Sequence, residues 1–420
     1  MVYVLNVNGQ PLMPTNRRGK VKWLLRQGRA KVVRRCPFTI QLLYETGNHT
    51  QPVTLGVDAG SKVIGLSATT QAKELYAAEV QLRTDVVELL SARRAFRAAR
   101  RNRTTRYRKP RFDNRRKPSG WLAPSIRQKI NTHIQAVKQV HRILPITKII
   151  VEVAAFDIQK IKNPDISGAQ YQQGEQSGFW NIREYVLWRD GHACQGRKGC
   201  KEQVLNVHHI ESRMTGGNAP NNLITLCERC HNDYHKGVLK LNLKRGQSLR
   251  DAAFMGITRW AVYGELIEIY QDVKLTYGYI TKNARIANGL TKTHAVDARC
   301  VSGNATVSAS NDVYYQKAAR KRNRQIHKAT ILMGGYRKLN QAPKYVYGYQ
   351  LFDKVLYNSE VGFVFGRRSS GSFDIRKLDG EKLTAGVSYK KLKLLEARKS
   401  ILTEVKARSS PAYALASRAR

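Results

Sequence analysis

The sequence predicts a multidomain α/β protein, and three observations support this fold class. At 420 residues the chain is long enough for two to four compact units. Short apolar segments typical of strands alternate with longer segments that have helical periodicity. Between Cys194 and His235, cysteines and histidines cluster at spacings typical of a small metal-stabilised unit. Acidic residues on apolar segments flank this block on both sides.

The first 50 residues predict a small β-rich module. Val2, Val4 and Val7 indicate a strand, and the segment from Lys20 to Leu25 indicates a short amphipathic helix. The sequence Pro11-Leu12-Met13-Pro14 lies between them. Because each proline fixes its own φ angle, we expect this segment to be a stiff link.

Two apolar strands carry acidic residues. The first ends at Asp58, before Gly60, and a second strand returns from Val63 to Ser67; the segment 148–154 has Glu152 in its interior. Helical patterns follow at 248–270 and 293–298. Beyond residue 310, alternating apolar residues and an Asp-Gly turn at 379–380 predict a small barrel or meander.

The net charge of +44 indicates a polyanionic partner. Thirteen of the 25 residues from Arg93 to Lys117 are basic, and Asp113 is the one acid among them. This surplus favours structured RNA over one short DNA site. A generally basic protein with a solvated basic helix is the alternative. The predicted nucleic-acid contacts are Arg93, Arg94, Arg97, Arg100, Arg101, Arg103, Arg106 and Arg108.

The sequence gives no indication of a membrane or secreted protein. No segment approaches the ~18–20 apolar residues of a membrane span, and the first residues lack a secretory pattern. Of the six cysteines, four cluster with histidines, which is typical of metal ligands in a reducing compartment. We expect Cys36 and Cys300 to be buried thiols, and the protein to be intracellular.

The four clustered cysteines predict a structural zinc site. Cys194 and Cys200 are separated by five residues, and Cys227 and Cys230 by two. Two pairs of thiolates suit tetrahedral zinc and leave no position open for water. The alternative is four unrelated thiols, because the first spacing is wider than usual.

The histidines in the same block predict a hydrolytic centre. His231 and His235 are four residues apart on a predicted helix, so both can face one divalent ion. His208 and His209 are neighbours on a predicted strand and point to opposite faces, one toward the ion and one toward a water molecule. Asn222 can orient the basic imidazole. The alternative is a zinc ribbon without catalytic function.

A second centre is predicted from residues far apart in the sequence. Asp58, Glu152 and the pair His294 and Asp297, three apart on one helical face, can bind two magnesium ions and promote attack of water on a phosphodiester. Each has an ordinary alternative: a turn residue for Asp58, a strand-edge charge for Glu152, and a capping or paired acid for Asp297.

These motifs resemble known nucleases. The His-His pair, Asn222 and His231 within the cysteine frame resemble the HNH (ββα-metal) motif. This resemblance implies that His209 is the general base, that His208 and His231 bind a metal ion, and that His235 is a possible third ligand. The segments around Asp58, Glu152 and His294 resemble the three parts of a RuvC-like nuclease with an RNase H-like mixed sheet. Their order resembles IscB, the transposon-encoded RNA-guided nucleases related to type II CRISPR effectors.

The resemblance to IscB implies a domain organisation. The motif Pro11-Leu12-Met13-Pro14 matches the one that names the amino-terminal domain of that family, whereas His208 stands where the CRISPR relatives usually have aspartate. The implied parts are the amino-terminal domain (1–50), RuvC-like part I (51–83), an arginine-rich bridge helix (84–117), RuvC-like part II (118–162), the HNH domain with linkers (163–246), RuvC-like part III (247–310) and a carboxy-terminal nucleic-acid-binding region (311–420).

The same resemblance implies a function. It implies a monomeric protein in a ribonucleoprotein, with a long structured guide RNA, a double-stranded DNA target, Mg2+ or Mn2+ at both centres, and zinc. The HNH centre would cut the guide-paired strand and the RuvC-like centre the displaced strand, in the cytoplasm of a prokaryotic cell. The alternatives are a guide-independent HNH endonuclease of the homing or restriction type, and a non-catalytic RNA-binding zinc protein.

Overall fold

The computed structural model describes residues 1–101, 122–153, 182–197, 199–212, 220–244, 246, 250–320 and 343–408. For 96–101 and 250–257 only the helical backbone is described. The chain divides into two compact units. Unit 1 consists of Met1–Ala154 and Ile257–Arg420, and unit 2 is the inserted segment Ala155–Gly256.

Strands and helices are numbered in chain order within the described residues. The strands are β1 (Val2–Leu5), β2 (Pro11–Thr15), β3 (Ala30–Arg34), β4 (Thr39–Leu42), β5 (Thr54–Ala59), β6 (Val63–Thr69), β7 (Glu74–Gln81), β8 (Lys148–Val153), β9 (Leu205–His209), β10 (Leu223–Cys227), β11 (Val273–Tyr277), β12 (Asp312–Ala318), β13 (Lys354–Tyr357), β14 (Glu360–Arg367), β15 (Ser372–Arg376), β16 (Lys382–Ser388), β17 (Lys393–Glu396) and β18 (Ile401–Ala407). The helices are α1 (Arg18–Arg26), α2 (Val86–Arg101), α3 (Pro124–His141), α4 (Ile182–Arg189), α5 (Glu228–His235), α6 (Arg250–Ile269), α7 (Gly278–Ala287) and α8 (His294–Val301).

The amino-terminal module is a four-stranded sheet in the order β2-β1-β4-β3, with α1 packed on it through Val21 and Leu24. The expectation of a stiff link at Pro11–Pro14 is wrong. These residues form β2, whose Leu12 pairs with Val4 of β1. Because β2 lies at the edge of the sheet, it has only one neighbouring strand, and prolines are tolerated at such a position.

The main sheet of unit 1 has seven strands in the order β11-β8-β5-β6-β7-β12-β18. Strands β5, β6 and β7 are antiparallel neighbours, whereas β8 pairs parallel with both β5 and β11. Val57 is level with Val151, so Asp58 and Glu152 follow side by side. The parallel pairing therefore places both carboxylates together toward the carboxyl ends of β5 and β8.

Two glycines allow helix α8 to lie directly against this sheet. A Cβ atom on Gly56 would lie 2.0 Å from the carbonyl oxygen of Ala298, and one on Gly65 would lie 1.9 Å from that of His294. The hydroxyl of Thr293 caps the helix by accepting a hydrogen bond of 3.1 Å from the backbone N–H of Val296. The position of α8, and of its first residue His294, is thus fixed by backbone contact with β6.

The carboxy-terminal sheet has five antiparallel strands in the order β16-β15-β14-β13-β17. Its core contains Val355, Val364, Phe373 and Ile375. Strands β13 to β16 form a meander, one of the two predicted alternatives, whereas β17 returns to pair with β13. Strands β12 and β18 pair with the main sheet instead, so the expected boundary at residue 310 lies just ahead of a strand of that sheet.

Unit 2 contains the antiparallel pair β9 and β10, followed directly by α5. The predicted strand at 207–210 and the predicted helix carrying His231 are both present as β9 and α5. Side chains of α4 support this pair, since Arg189 donates hydrogen bonds to the carbonyl oxygens of Pro220 and Leu223. Over the described ranges, none of the helices combines the length and apolar character needed to cross a bilayer.

Candidate functional site

The four cysteines of unit 2 come together as the spacing predicts. Their sulfur atoms all lie within 4.8 Å of one another, and three of the four residues are buried. The sulfurs of Cys200 and Cys227 are 3.6 Å apart. Tetrahedral zinc with Zn–S bonds of ~2.3 Å requires sulfurs about 3.8 Å apart, so the cluster fits zinc.

Backbone donors and burial give the clustered thiols unequal acidity. Burial raises the pKa of Cys194, but N–H groups of Cys227 and Gly196 donate to its sulfur and bring this pKa down to about 7. Burial and the neighbouring thiols raise the pKa of Cys230 to about 12. Four sulfurs this close can all ionise only beside a cation, and a structural zinc ion would be such a cation.

Three histidines form a second group of ligands in unit 2. The donor atoms of His208 on β9 and of His231 and His235 on α5 lie within 4.8 Å of one another. The ring centroid of His208 is 5.1 Å from each of the other two. Burial, followed by the nearby imidazoles, lowers the pKa of His208 to about 4. The imidazole of His208 is therefore neutral at physiological pH, as a metal ligand must be.

His209 and Asn222 lie next to this group. His209 is the neighbour of His208 on β9 and points to the opposite face of the strand, where it is half-buried. Asn222 is fully buried, and its side chain accepts a hydrogen bond from the N–H of Glu211 at 2.8 Å and donates one to the carbonyl of Glu211 at 3.0 Å. Asn222 thus fixes the backbone just after His209.

The predicted carboxylate centre of unit 1 comes from three segments of the chain. Asp58 at the end of β5 and Glu152 on β8 are both buried. Nδ1 of His294, at the start of α8, lies 2.7 Å from Oδ2 of Asp58. Asp297 follows one turn later on α8. The structure thus brings together all four residues of the second predicted centre.

Burial and the charge of Asp58 raise the pKa values of Glu152 and Asp297. Burial, followed by the charge of Asp58, raises the pKa of Glu152. The same two causes raise the pKa of Asp297 to about 6. Carboxylates that are buried together oppose ionisation of one another, so this site favours cations.

Two arginines that sequence reasoning missed already supply positive charge there. Nη2 of Arg259 on α6 is 3.1 Å from Oε1 of Glu152 and 3.9 Å from Oδ1 of Asp58. Nε of Arg285 on α7 is 3.0 Å from Oδ1 of Asp297. Among the residues that the structure describes, the carboxylates do not form a group of three ligand atoms within 4.8 Å, unlike the cysteines and histidines of unit 2. The sequence signal for Arg259 is a charged residue in the apolar segment 257–262.

The predicted arginine contacts are only partly described. Arg93 and Arg94 are exposed on α2. The backbone of α2 continues through Arg97, Arg100 and Arg101, whose side chains are outside the description. Arg103, Arg106 and Arg108 lie outside the described residues. The predicted basic helix is therefore present as α2 up to Arg101.

Comparison with known proteins gives two family matches, which follow one another along the chain. Residues 2–174 match the family described as RRXRR protein, and residues 194–237 match the family described as HNH endonuclease. Among curated proteins, Anaredoxin of Nostoc sp. (strain PCC 7120 / SAG 25.82 / UTEX 2576) is 46% identical over 41 residues, which are 10% of this chain and 54% of that protein. The chain thus spans about half the length of this relative.

Proposed function

We propose, from the RRXRR and HNH matches that make this chain consistent with an IscB-like nuclease, that it is an RNA-guided DNA endonuclease with two active centres. It binds a structured guide RNA that pairs with one strand of a DNA target beside a short flanking motif. The HNH centre cuts the guide-paired strand, and the carboxylate centre cuts the displaced strand. The observation that carries this proposal is the convergence of Asp58, Glu152, His294 and Asp297 on unit 1, although the inserted unit 2 separates Glu152 from His294.

The main sheet of unit 1 is, in this proposal, the RuvC-like, RNase H-like sheet. Each of the three segments that resemble the RuvC-like parts contributes one element to the carboxylate centre. These elements are β5, β8 and α8. The parallel pairing of β5 with β8 supports the assignment, because it places two carboxylates side by side at the carboxyl ends of their strands.

In the HNH centre, His209 is the general base. Its imidazole takes a proton from the attacking water, a step to which histidine is suited at physiological pH. His208, His231 and His235 would hold a divalent ion, and three imidazoles fit Mn2+ better than Mg2+, which prefers oxygen ligands. Such an ion would stabilise the negative charge that develops on the phosphate oxygens. The cysteine cluster would hold zinc, which would keep β10 and α5 in place.

In the carboxylate centre, Asp58, Glu152 and Asp297 would hold Mg2+ or Mn2+. His294, 2.7 Å from Asp58, orients the carboxylate of Asp58 and lies where a water or a phosphate oxygen enters, because a third of its side chain is exposed. The buried position of Asp58 and Glu152 lowers the local dielectric and strengthens their interaction with cations.

The charge of the chain supports a guide RNA. A net charge of +44 far exceeds the negative charge of the roughly six to ten phosphates that a single duplex site engages. The exposed Arg93 and Arg94 begin the basic run that we propose to follow the RNA and the guide–target heteroduplex. A guide-independent HNH endonuclease is the second candidate, which the HNH match at 194–237 favours on its own.

Purification followed by plasmid cleavage tests the proposal. We expect a discrete RNA to co-purify, and we expect cleavage at a matching target only when this RNA is present. A matched control is the full-length variant with both Asp58→Ala and His209→Ala, which should bind the RNA but leave the plasmid intact. Specific cleavage by the RNA-free protein would instead favour the guide-independent enzyme. RNA binding with no cleavage under any condition would favour a non-catalytic RNA-binding protein.

A further inference from the structure

The side chain of Arg259 lies inside the carboxylate centre. It is buried, with 8% of its surface exposed. Its Nε donates a 2.8 Å hydrogen bond to the carbonyl oxygen of Ala59, the residue after Asp58. From this anchor, Nη2 reaches Oε1 of Glu152 at 3.1 Å and approaches Oδ1 of Asp58 at 3.9 Å. One guanidinium thus contacts both strands that carry the first two carboxylates.

This arrangement differs from an ordinary surface ion pair. The side chains of Asp58, Glu152 and Arg259 are each no more than 9% exposed, so water screens their charges poorly. Two buried carboxylates with no cation would repel each other across the pair β5 and β8. The guanidinium removes this repulsion and satisfies oxygens that would otherwise lack a cation.

The same oxygens are those that a divalent ion needs. Oδ2 of Asp58 is directed to His294, which leaves Oδ1 and the Glu152 carboxylate facing the guanidinium. A divalent ion bound by these two residues would bring its two positive charges next to the charged guanidinium in a buried site. The ion and the guanidinium therefore compete.

We propose that Arg259 is a built-in counter-ion that occupies the carboxylate centre and competes with the divalent ion for Asp58 and Glu152. The inference rests on the proposed function, because it takes this centre to be an ion-binding nuclease site. Arg259 acts through the carboxylates, and it sets the ion concentration at which the centre becomes loaded. Loading requires the guanidinium to leave Glu152, while its bond to Ala59 keeps it close enough to return.

Direct measurement of Mn2+ binding tests the competition without relying on cleavage. Free Mn2+ is counted by electron paramagnetic resonance on the full-length, RNA-free protein in high salt. The background protein carries His231→Ala and His235→Ala, which remove the ion site of unit 2, and every variant is made in this background. The test variant is Arg259→Met, which keeps the aliphatic stem and removes the charge. The control is Arg127→Met. Arg127 is an exposed arginine on α3 that pairs with Glu265, and Glu265 lies on α6, the helix that carries Arg259.

We expect Arg259→Met to bind Mn2+ at least about tenfold more tightly than the background protein, and Arg127→Met to bind it equally. Equal or weaker binding by a folded Arg259→Met variant would overturn the competition and show that the arginine and the ion occupy the centre together. If Arg259→Met does not fold, Arg259→Lys decides the question. Its single ammonium cannot hold Ala59 and Glu152 together, so it must also bind Mn2+ more tightly than the background protein.

One further variant separates the inference from the proposed function. Asp58→Asn in the same background should lose Mn2+ binding at this centre. If Asp58→Asn binds Mn2+ as well as the background protein does, the carboxylates are not an ion site and the proposed second nuclease centre is wrong. If Asp58→Asn loses binding but Arg259→Met gains none, only the competition by Arg259 is refuted.

Discussion

Replacing Gly65 with alanine should displace helix α8 without altering any of its side chains. The new Cβ would lie 1.9 Å from the carbonyl oxygen of His294, whereas real Cβ contacts are essentially never shorter than 3.0 Å. The first turn of α8 must therefore move away from β6 by at least ~1.1 Å. Overpacking of this kind costs about 1–3 kcal/mol of stability.

The displacement also moves His294 away from Asp58. A misplacement of about 1 Å in a catalytic arrangement lowers the rate by roughly 100-fold. We therefore expect Gly65→Ala to cut the displaced strand about 100-fold more slowly and the guide-paired strand at an unchanged rate. The assay is cleavage of a duplex labelled on each strand in turn, with thermal unfolding measured in parallel.

A second glycine provides the matched control. Gly264 lies in α6 and has no atom within 4 Å of an added Cβ, so Gly264→Ala should be neutral or stabilising by up to ~1 kcal/mol, with both strands cut normally. If Gly65→Ala unfolds at the wild-type temperature and cuts the displaced strand within about threefold of the wild-type rate, the close packing of α8 on β6 does not position the centre.

Three further predictions concern the zinc site, the HNH centre and the response to pH. Cys227→Ser, or chelation of zinc, should unfold unit 2 and abolish cutting of the guide-paired strand, because the four sulfurs lose their cation; limited proteolysis of residues 182–244 that leaves unit 1 intact is the expected readout, and resistance to the protease would contradict it. Asn222→Ala removes both hydrogen bonds to Glu211 from a fully buried side chain, so it should lower the free energy of unfolding by about 1–3 kcal/mol and selectively slow cleavage of the guide-paired strand. An equal effect on cleavage of both strands would argue against this local role. The pKa of Asp297 is raised to about 6 in the folded protein, so the metal-free protein binds more protons than its unfolded state and should lose stability as the pH rises from about 4 to 6; Asp297→Asn should flatten this part of the curve in thermal unfolding, and an unaltered slope would refute the assignment.

Local patterns in the sequence predicted the ligand clusters of unit 2 well, because their residues lie close together on short elements. His231 and His235 are one helical turn apart, and Cys227 and Cys230 bracket the start of the same helix α5. The spacing of such residues fixes their geometry once the helix forms. The meander of β13 to β16 was predictable for a similar reason, since neighbours in the chain are also neighbours in the sheet.

Features that depend on distant packing could not be predicted in this way. Arg259 contacts Ala59 and Glu152 across more than 100 residues of chain, and its own neighbours in the sequence indicate only a helix. Pro11–Pro14 can form a strand because it lies at the edge of its sheet, and this position depends on the order of the strands. The pairing of β12 and β18 with the main sheet is likewise set by long-range contacts.

The central claim is that two separate centres each cut one DNA strand under the direction of a guide RNA. The most direct measurement is strand-resolved cleavage of one target duplex by the RNA-bound wild type, Asp58→Ala and His209→Ala. We predict cuts in both strands for the wild type, a cut in only the guide-paired strand for Asp58→Ala, and a cut in only the displaced strand for His209→Ala. If either single variant still cuts both strands, or loses both cuts while remaining folded and RNA-bound, the assignment of one strand to each centre is contradicted.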